Sequence, residues 1–173
     1  MYWILSNEFV DEDNDADLSG DVNLDLGEEI SFDGGVPVAT SIPRVILTLN
    51  ADSQMGVMTD HLSIDEIHGL VFSDRLHELL GSTKVNNVQY FDFDIYDPKS
   101  NKVYENYKIA NVVGLVDCVD KDKSDLTFYD DGVIEFIDKL VLDESKIPPE
   151  LKIFRLSNRS TLTVVHQSIK DAI

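Results

Sequence analysis

Hydrophobic and polar positions alternate along this chain in short segments separated by turn formers, and each segment predicts an element. Tyr2 to Leu5 reads as a short opening strand. Asp11 to Gly35 is polar, acidic and punctuated by glycine, with isolated Val22, Leu24, Leu26 and Ile30. It predicts a long loop carrying one strand at most, around Val22 to Leu26. Val45-Ile46-Leu47-Thr48-Leu49 is β-branched and bounded by Pro43 and Asn50-Ala51-Asp52, the pattern of a strong strand. The apolar run Leu70-Val71-Phe72 then meets Ser73, a good helix N-cap, and Asp74, which complements the positive end of a helix dipole. Leu76, Leu79 and Leu80 share one helical face, with Gly81 as the expected stop.

Val88 to Tyr96 alternates with period two. Phe91, Phe93 and Ile95 fall on one face and Tyr90, Asp92 and Asp94 on the other, which predicts a half-buried strand. Val103 to Val119 reads as a long strand or bent pair, apolar on both faces in its second half, as at the centre of a sheet. Asp130-Asp131-Gly132 is a hairpin signal between Leu126–Tyr129 and Val133–Leu142. The second of these runs fits a helix through Val133, Phe136, Ile137, Leu140 and Val141, or a strand through Ile134, Phe136, Leu140 and Leu142. Its β-branched content and the preceding turn favour strand. Ile147-Pro148-Pro149-Glu150 breaks the chain before a strand at Lys152–Leu156, and Leu162–Val165 leads into a terminal helix from about His166. The sum is an α+β fold, mainly antiparallel sheet with a few short helices.

Charge changes this picture. The 173 residues carry 33 acidic side chains against 14 Lys plus Arg, a formal net charge of −19. Residues 1–43 hold eleven of the carboxylates and no Lys or Arg, so that segment accounts for −11 and the rest of the chain for −8. We therefore expect an acidic, loop-rich segment over 1–43 and an α+β domain over 44–173. With 43% hydrophobic residues the chain can bury a core, so a wholly disordered acidic tail is excluded. Nucleic-acid binding through a basic surface is excluded too, because phosphate contacts need clustered Lys and Arg. A basic protein partner or a cation suits the balance better. No apolar run approaches the ~20 residues that cross a bilayer, and no basic leader precedes one, so no membrane partner is expected. Cys118 is the only cysteine and sits on the face of Val112 and Val116, as a small buried hydrophobe would. These features predict a cytoplasmic protein.

Three patterns invite chemistry. Asp11, Asp13, Asp15, Asp17 and Ser19 place oxygens at alternate positions, as in a calcium loop, and Leu18 fits its apolar position. Position six is Ala16 where Gly makes the turn, however, and position twelve is Val22 where a bidentate Glu closes the site. A calcium-dependent binding module, a solvated loop and a docking surface for a basic partner all remain open here. The docking surface would comprise Asp11, Glu12, Asp13, Asp15, Asp17 and Asp21. Asp92 and Asp94 on one strand face resemble the paired carboxylates of metal-dependent hydrolases, or a plain amphipathic strand. His61, His68, His77 and His166 show no ligand spacing, with His77 expected at the surface. No nucleophile elbow, phosphate loop or dinucleotide fingerprint is present, so no catalytic residue, metal or cofactor is expected. Trp3 with Tyr2 fits a recognition surface, but an opening strand docked into the core by Trp3 is the favoured expectation.

The ordered set Leu70-Val71-Phe72-Ser73-Asp74-Arg75-Leu76, Val88-Gln89-Tyr90-Phe91, Tyr107 to Val113, Val116 to Asp120 with Ser124, Leu140 to Glu144, and Ile153-Phe154-Arg155-Leu156 resembles the Imm-eleven immunity proteins of bacterial polymorphic-toxin systems. The likeness covers about residues 69–173. It implies a non-enzymatic antidote that binds and neutralises a cognate secreted toxin, and it leaves the toxin's activity open. Complementary charge would suit a basic toxin such as a nuclease. Phe154 and Arg155 match the family pattern. In their strand context Phe154 is expected in the core, with Arg155 as a structural charge partner.

Overall fold

Two sheets share the interior of the computed structural model, which describes residues 1–6, 16–24 and 30–173. The larger is six-stranded, with spatial order β2 (Gly20–Val22), β3 (Val45–Leu49), β6 (Val88–Asp97), β7 (Lys102–Val112), β5 (Leu70–Ser73) and β4 (His61–Leu62). The smaller is four-stranded: β1 (Tyr2–Leu5), β12 (Arg159–His166), β11 (Ile153–Leu156) and β8 (Leu115–Val116). A separate hairpin pairs β9 (Asp125–Phe128) with β10 (Ile134–Lys139). Helices are short, α1 over Asp74–Ser82 and α2 over Gln167–Lys170. Sheet dominates and is largely antiparallel, but β3 pairs with β6 in parallel, as β11 does with β8.

The second half of the Val103–Val119 run, expected at a sheet centre, breaks at Val113–Gly114 and supplies β8 at the edge of the four-stranded sheet; the central strand is the first part of the run, β7, between β6 and β5. Its inner residues Ile109, Ala110, Asn111 and Val112 are all fully buried. One face of the six-stranded sheet presents Val45, Leu47, Phe93, Ile95 and Ile109, packed with Leu18 and Phe32. The other presents Phe72, Ala110 and Val112 to Leu76 and Leu80 of α1 and to Ile153 and Val165 of the smaller sheet. That smaller sheet turns Phe154, Leu156 and Val164 to a third cluster with Cys118, Val119, Ile134 and Ile147. A strand with packed layers on both sides has no polar face, which is why all four residues of β11 are buried.

Residues on both sides of position 43 share this packing. β1 pairs along its length with β12, β2 pairs with β3, and Leu18 and Phe32 sit inside the first cluster. The stretch from Phe32 to Val38 is held by side chains reaching out of the sheets. Arg155 Nη2 donates to the Phe32 carbonyl at 2.9 Å, and Asn111 Nδ2 to the Val36 carbonyl at 2.8 Å. Gln89 accepts from the Val38 N–H and donates to its carbonyl. Gly35 is required here. Its φ is +71°, and a Cβ would stand 2.6 Å from Leu115.

Five further expectations are corrected. Trp3 faces outward, 39% exposed, with its Nε1 donating to Gln167 and the Lys170 ammonium over its ring; Tyr2 is the residue that turns inward, edge-on to Phe154. Strand alternation cannot assign both, and the inward position was taken by the neighbour. Gly81 does not stop α1, which runs to Ser82 with Thr83 as its C-cap; Lys84 takes the left-handed conformation at φ 64°. Among the described residues the strand of the Asp11–Gly35 stretch is Gly20–Val22, which meets the expected Val22 to Leu26 only at Val22, and residues 25–29 lie outside the described residues. His77 is half-buried, its ring 4.1 Å from that of Tyr90. Arg155 is buried as a structural residue, but its hydrogen-bond partners are main-chain carbonyls and not a carboxylate.

Arg155 generates a stability prediction. Its second hydrogen bond runs from Nη1 to the Ser160 carbonyl at 2.8 Å. Arg155→Ala leaves the Phe32 and Ser160 carbonyls without their donor and opens a void. The expected loss is about 2–4 kcal/mol in urea-induced unfolding, since buried acceptors lose the full desolvation penalty. A surface control such as Lys121→Ala should change stability by less than about 0.5 kcal/mol.

Candidate functional site

Of the expected docking residues, Asp11, Glu12, Asp13 and Asp15 lie outside the described residues. Asp17 and Asp21 are described, and both are exposed on the β2 side of the six-stranded sheet. Their positions follow from main-chain pairing. Asp17 forms an antiparallel bridge with Gln54, and Asp21 lies opposite Thr48 on β3. Between them Leu18 drops into the core at 5% exposure. A period-two pattern thus sends the carboxylates outward and the leucine inward.

The same stretch bears on the calcium reading. The Ser19 hydroxyl faces Ser53 Oγ at 3.4 Å, and Ser53 Oγ donates to the Ser19 carbonyl at 2.6 Å. Val22, at the closing position of the loop pattern, packs against the first cluster and offers no oxygen. Among the described residues no group of three or more His, Cys, Asp or Glu is placed to hold a metal ion.

Asp92 and Asp94 do lie together, but two cations occupy them. Arg44 Nη1 sits 2.7 Å from Asp94 Oδ1, and its Nη2 3.6 Å from Asp92 Oδ2. Lys108, opposite Asp92 across the β6–β7 ladder, approaches it at 3.4 Å and also Asp74 at 3.9 Å. A shift of register between Phe93 and Ile95 accompanies the burial of Asp94, which is 6% exposed. Period-two reasoning does not anticipate that bulge. The pair is an ion-pair network that seats Arg44 on the sheet, and a metal here would first have to displace a guanidinium.

The histidines are dispersed into separate structural tasks. His61 packs edge-on against Phe72, and burial pushes its pKa down to about 4. His166 caps α2, its Nδ1 accepting from the Ser168 N–H at 3.1 Å. Cys118 is buried, and that burial, with Asp117 adding repulsion, pushes its thiol up to about 11. Such a thiol is un-ionised at neutral pH and a poor nucleophile. A shallow polar depression near Asp117, Asp120 and Asp143 is bridged by Lys123 and Lys146, which pair with Asp120 at 2.6 Å and Asp143 at 4.0 Å.

One surface escaped the sequence reading. The β9–β10 hairpin buries Ile134 but leaves Phe136 62%, Tyr129 55% and Val133 39% exposed. Strand alternation placed Ile134 and Phe136 on the same face. The register shifts between Ile134 and Phe136, so Phe136 pairs with Thr127 while Ile134 pairs with Phe128. The Asp-Gly turn and the five carboxylates of 125–139 were visible in the sequence, whereas the bulge was not.

The immunity protein family Imm11 matches this chain over residues 13–173, and the chain belongs to that family. The match extends well before the likeness at 69–173 and takes in most of the acidic segment. No curated protein matches the chain.

The ion-pair network yields an asymmetric prediction. Arg44→Met strips Asp94, whose side chain is 8% exposed, of its cation and should cost about 1–2 kcal/mol in chemical denaturation, a buried-pair loss reduced because Arg44 itself is half exposed. Asp92→Asn, at a side chain 57% exposed, should cost less than about 0.5 kcal/mol.

Proposed function

We propose that this member of the Imm11 family is a non-catalytic, cytoplasmic immunity protein that binds a cognate toxin and blocks it, meeting a basic toxin surface with its own acidic one. The observation that carries the reading is the family match over residues 13–173, joined to a net charge of −19. An antidote must capture its toxin before damage accumulates. Complementary potentials raise the encounter rate and penalise partners of like charge. Polyanion-cleaving enzymes carry basic clefts, so a nuclease is the toxin class this surface fits best.

The charge distribution supports a particular steering region. Arg44 is the first cationic side chain in the sequence and is engaged with Asp94 and Asp92. The eleven carboxylates before it therefore have no Lys or Arg within their own segment to neutralise them. Asp17 and Asp21 stand exposed on that side, and Asp11, Glu12, Asp13 and Asp15 adjoin Asp17 in sequence.

Co-expression with the toxin encoded beside this gene tests the reading. Growth should be rescued and the two proteins should co-purify; absence of both would sink it. Steering has its own measurement. Converting Asp11, Asp13, Asp15, Asp17 and Asp21 to Asn and Glu12 to Gln should slow association about tenfold at low salt and flatten its salt dependence. The dissociation rate should change little, because steering acts before contact. An unchanged association rate would reduce these carboxylates to solvating groups.

A further inference from the structure

We infer that the outer face of the β9–β10 hairpin is the contact surface for a basic protein, with Phe136 and Tyr129 as its apolar anchors. Under the immunity reading, on which the partner's identity rests, that protein is the toxin.

The argument begins with an amphipathic hairpin facing the wrong way. Leu126, Phe128, Ile134 and Ile137 pack on the third core cluster, so the hairpin already has an apolar face and a use for it. Continued alternation would have sent Phe136 inward beside Ile134. The bulge at Glu135 reverses it, and neighbouring groups hold the bulge in place. Ile134 N–H donates to the Asn158 carbonyl at 2.8 Å, and Arg159 Nη1 donates to the Glu135 carbonyl at 3.1 Å. Bulges of this kind re-aim side chains. Phe136 then stands opposite Thr127, with Tyr129 two residues farther along the same outward row of β9.

The surroundings of these rings say what kind of surface covers them. Residues 125–139 carry Asp125, Asp130, Asp131, Glu135 and Asp138 against Lys139 alone. Asp125, Asp130, Asp131 and Asp138 are exposed. Large aromatic anchors within a charged rim are the anatomy of a binding hot spot. Here the rim is anionic. The complementary partner presents an apolar pocket bordered by Lys or Arg, and a second copy of this chain, at −19, is disfavoured by repulsion. Among the described residues the other exposed large aromatic, Trp3, differs in both respects: its ring is covered by Lys170 and its Nε1 is bound to Gln167.

The experiment uses the full chain and the purified toxin encoded beside its gene. Phe136→Ala combined with Tyr129→Ala removes only exposed rings, and an unchanged melting temperature confirms folding. We expect the double variant to weaken binding about tenfold or more, chiefly through faster dissociation. Asp130→Asn, Glu135→Gln and Asp138→Asn together should slow association. Amides of residues 125–139 should exchange more slowly in the wild-type complex than in the free protein. Wild-type affinity in both variant sets, or unprotected hairpin amides in a formed complex, overturns the hairpin assignment while leaving the immunity reading intact. A wild-type protein that does not bind the toxin overturns both.

Discussion

A buried guanidinium sets the terms for the rest of this molecule. Arg155 is 1% exposed, lies on a strand packed on both sides, and has no carboxylate within ion-pair distance among the described residues. Burial disfavours its charged form and holds its pKa below the usual guanidinium value, an effect the attraction of Asp33 offsets only in part. A cation so placed must be hydrogen-bonded; main-chain carbonyls at Phe32 and Ser160 engage its two terminal nitrogens, while Nε finds no partner among the described residues. The first of these bonds spans 123 residues of sequence. It joins the four-stranded sheet to a segment that covers the six-stranded one. Asn111 and Gln89 repeat the device from β7 and β6, so the stretch from Phe32 to Val38 is fastened by side chains and by one main-chain bond, Gly114 N–H to the Gly35 carbonyl, instead of a strand ladder.

The fastening matters for charge. An acidic segment repels itself, and on that ground alone it would stand off the body of the protein. Leu18 and Phe32 supply buried apolar anchors, and the Arg155, Asn111 and Gln89 bonds supply polar ones. The carboxylates of Asp17 and Asp21 are thereby presented from a defined place on the sheet. Elsewhere several cations are drawn into local pairs: Arg44 and Lys108 with the β6 aspartates, Arg75 with Asp60, Lys123 with Asp120. Hydrogen bonding from Arg75 holds the Asp60 carboxyl below the usual carboxylate range. With 33 acidic side chains against 14 Lys plus Arg, the exterior stays anionic.

Much of this was legible in the residues. β3 and the hairpin turn were signalled by local chemistry, as was the Ser73 cap of α1, whose hydroxyl accepts from the Leu76 N–H at 3.2 Å. Local pattern fails where tertiary contacts choose between equivalent answers. Tyr2 and Trp3 are both aromatic on a short strand, and only the position of Phe154 decides which turns inward. The parallel pairing of β3 with β6 depends on a connection through β4, β5 and α1 that no local signal encodes. Phe136 faces outward because Asn158 and Arg159, more than twenty residues on, hold a bulge at Glu135. The run of carboxylates before Arg44 was legible as charge, and Cys118 as a buried thiol. Asp92 and Asp94 looked chemical only until Arg44, from another strand's edge, was placed between them.

The proposed mode of action, inhibition by binding without catalysis, works by occupation, and occupation has a stoichiometry. Titrating this protein into a fixed concentration of the active toxin, well above the dissociation constant, measures it directly. Toxin activity should fall linearly and reach zero at the equimolar point. Activity that persists beyond equivalence would contradict inhibition by binding, and complete loss at a small fraction of equivalence would mean that this protein turns over.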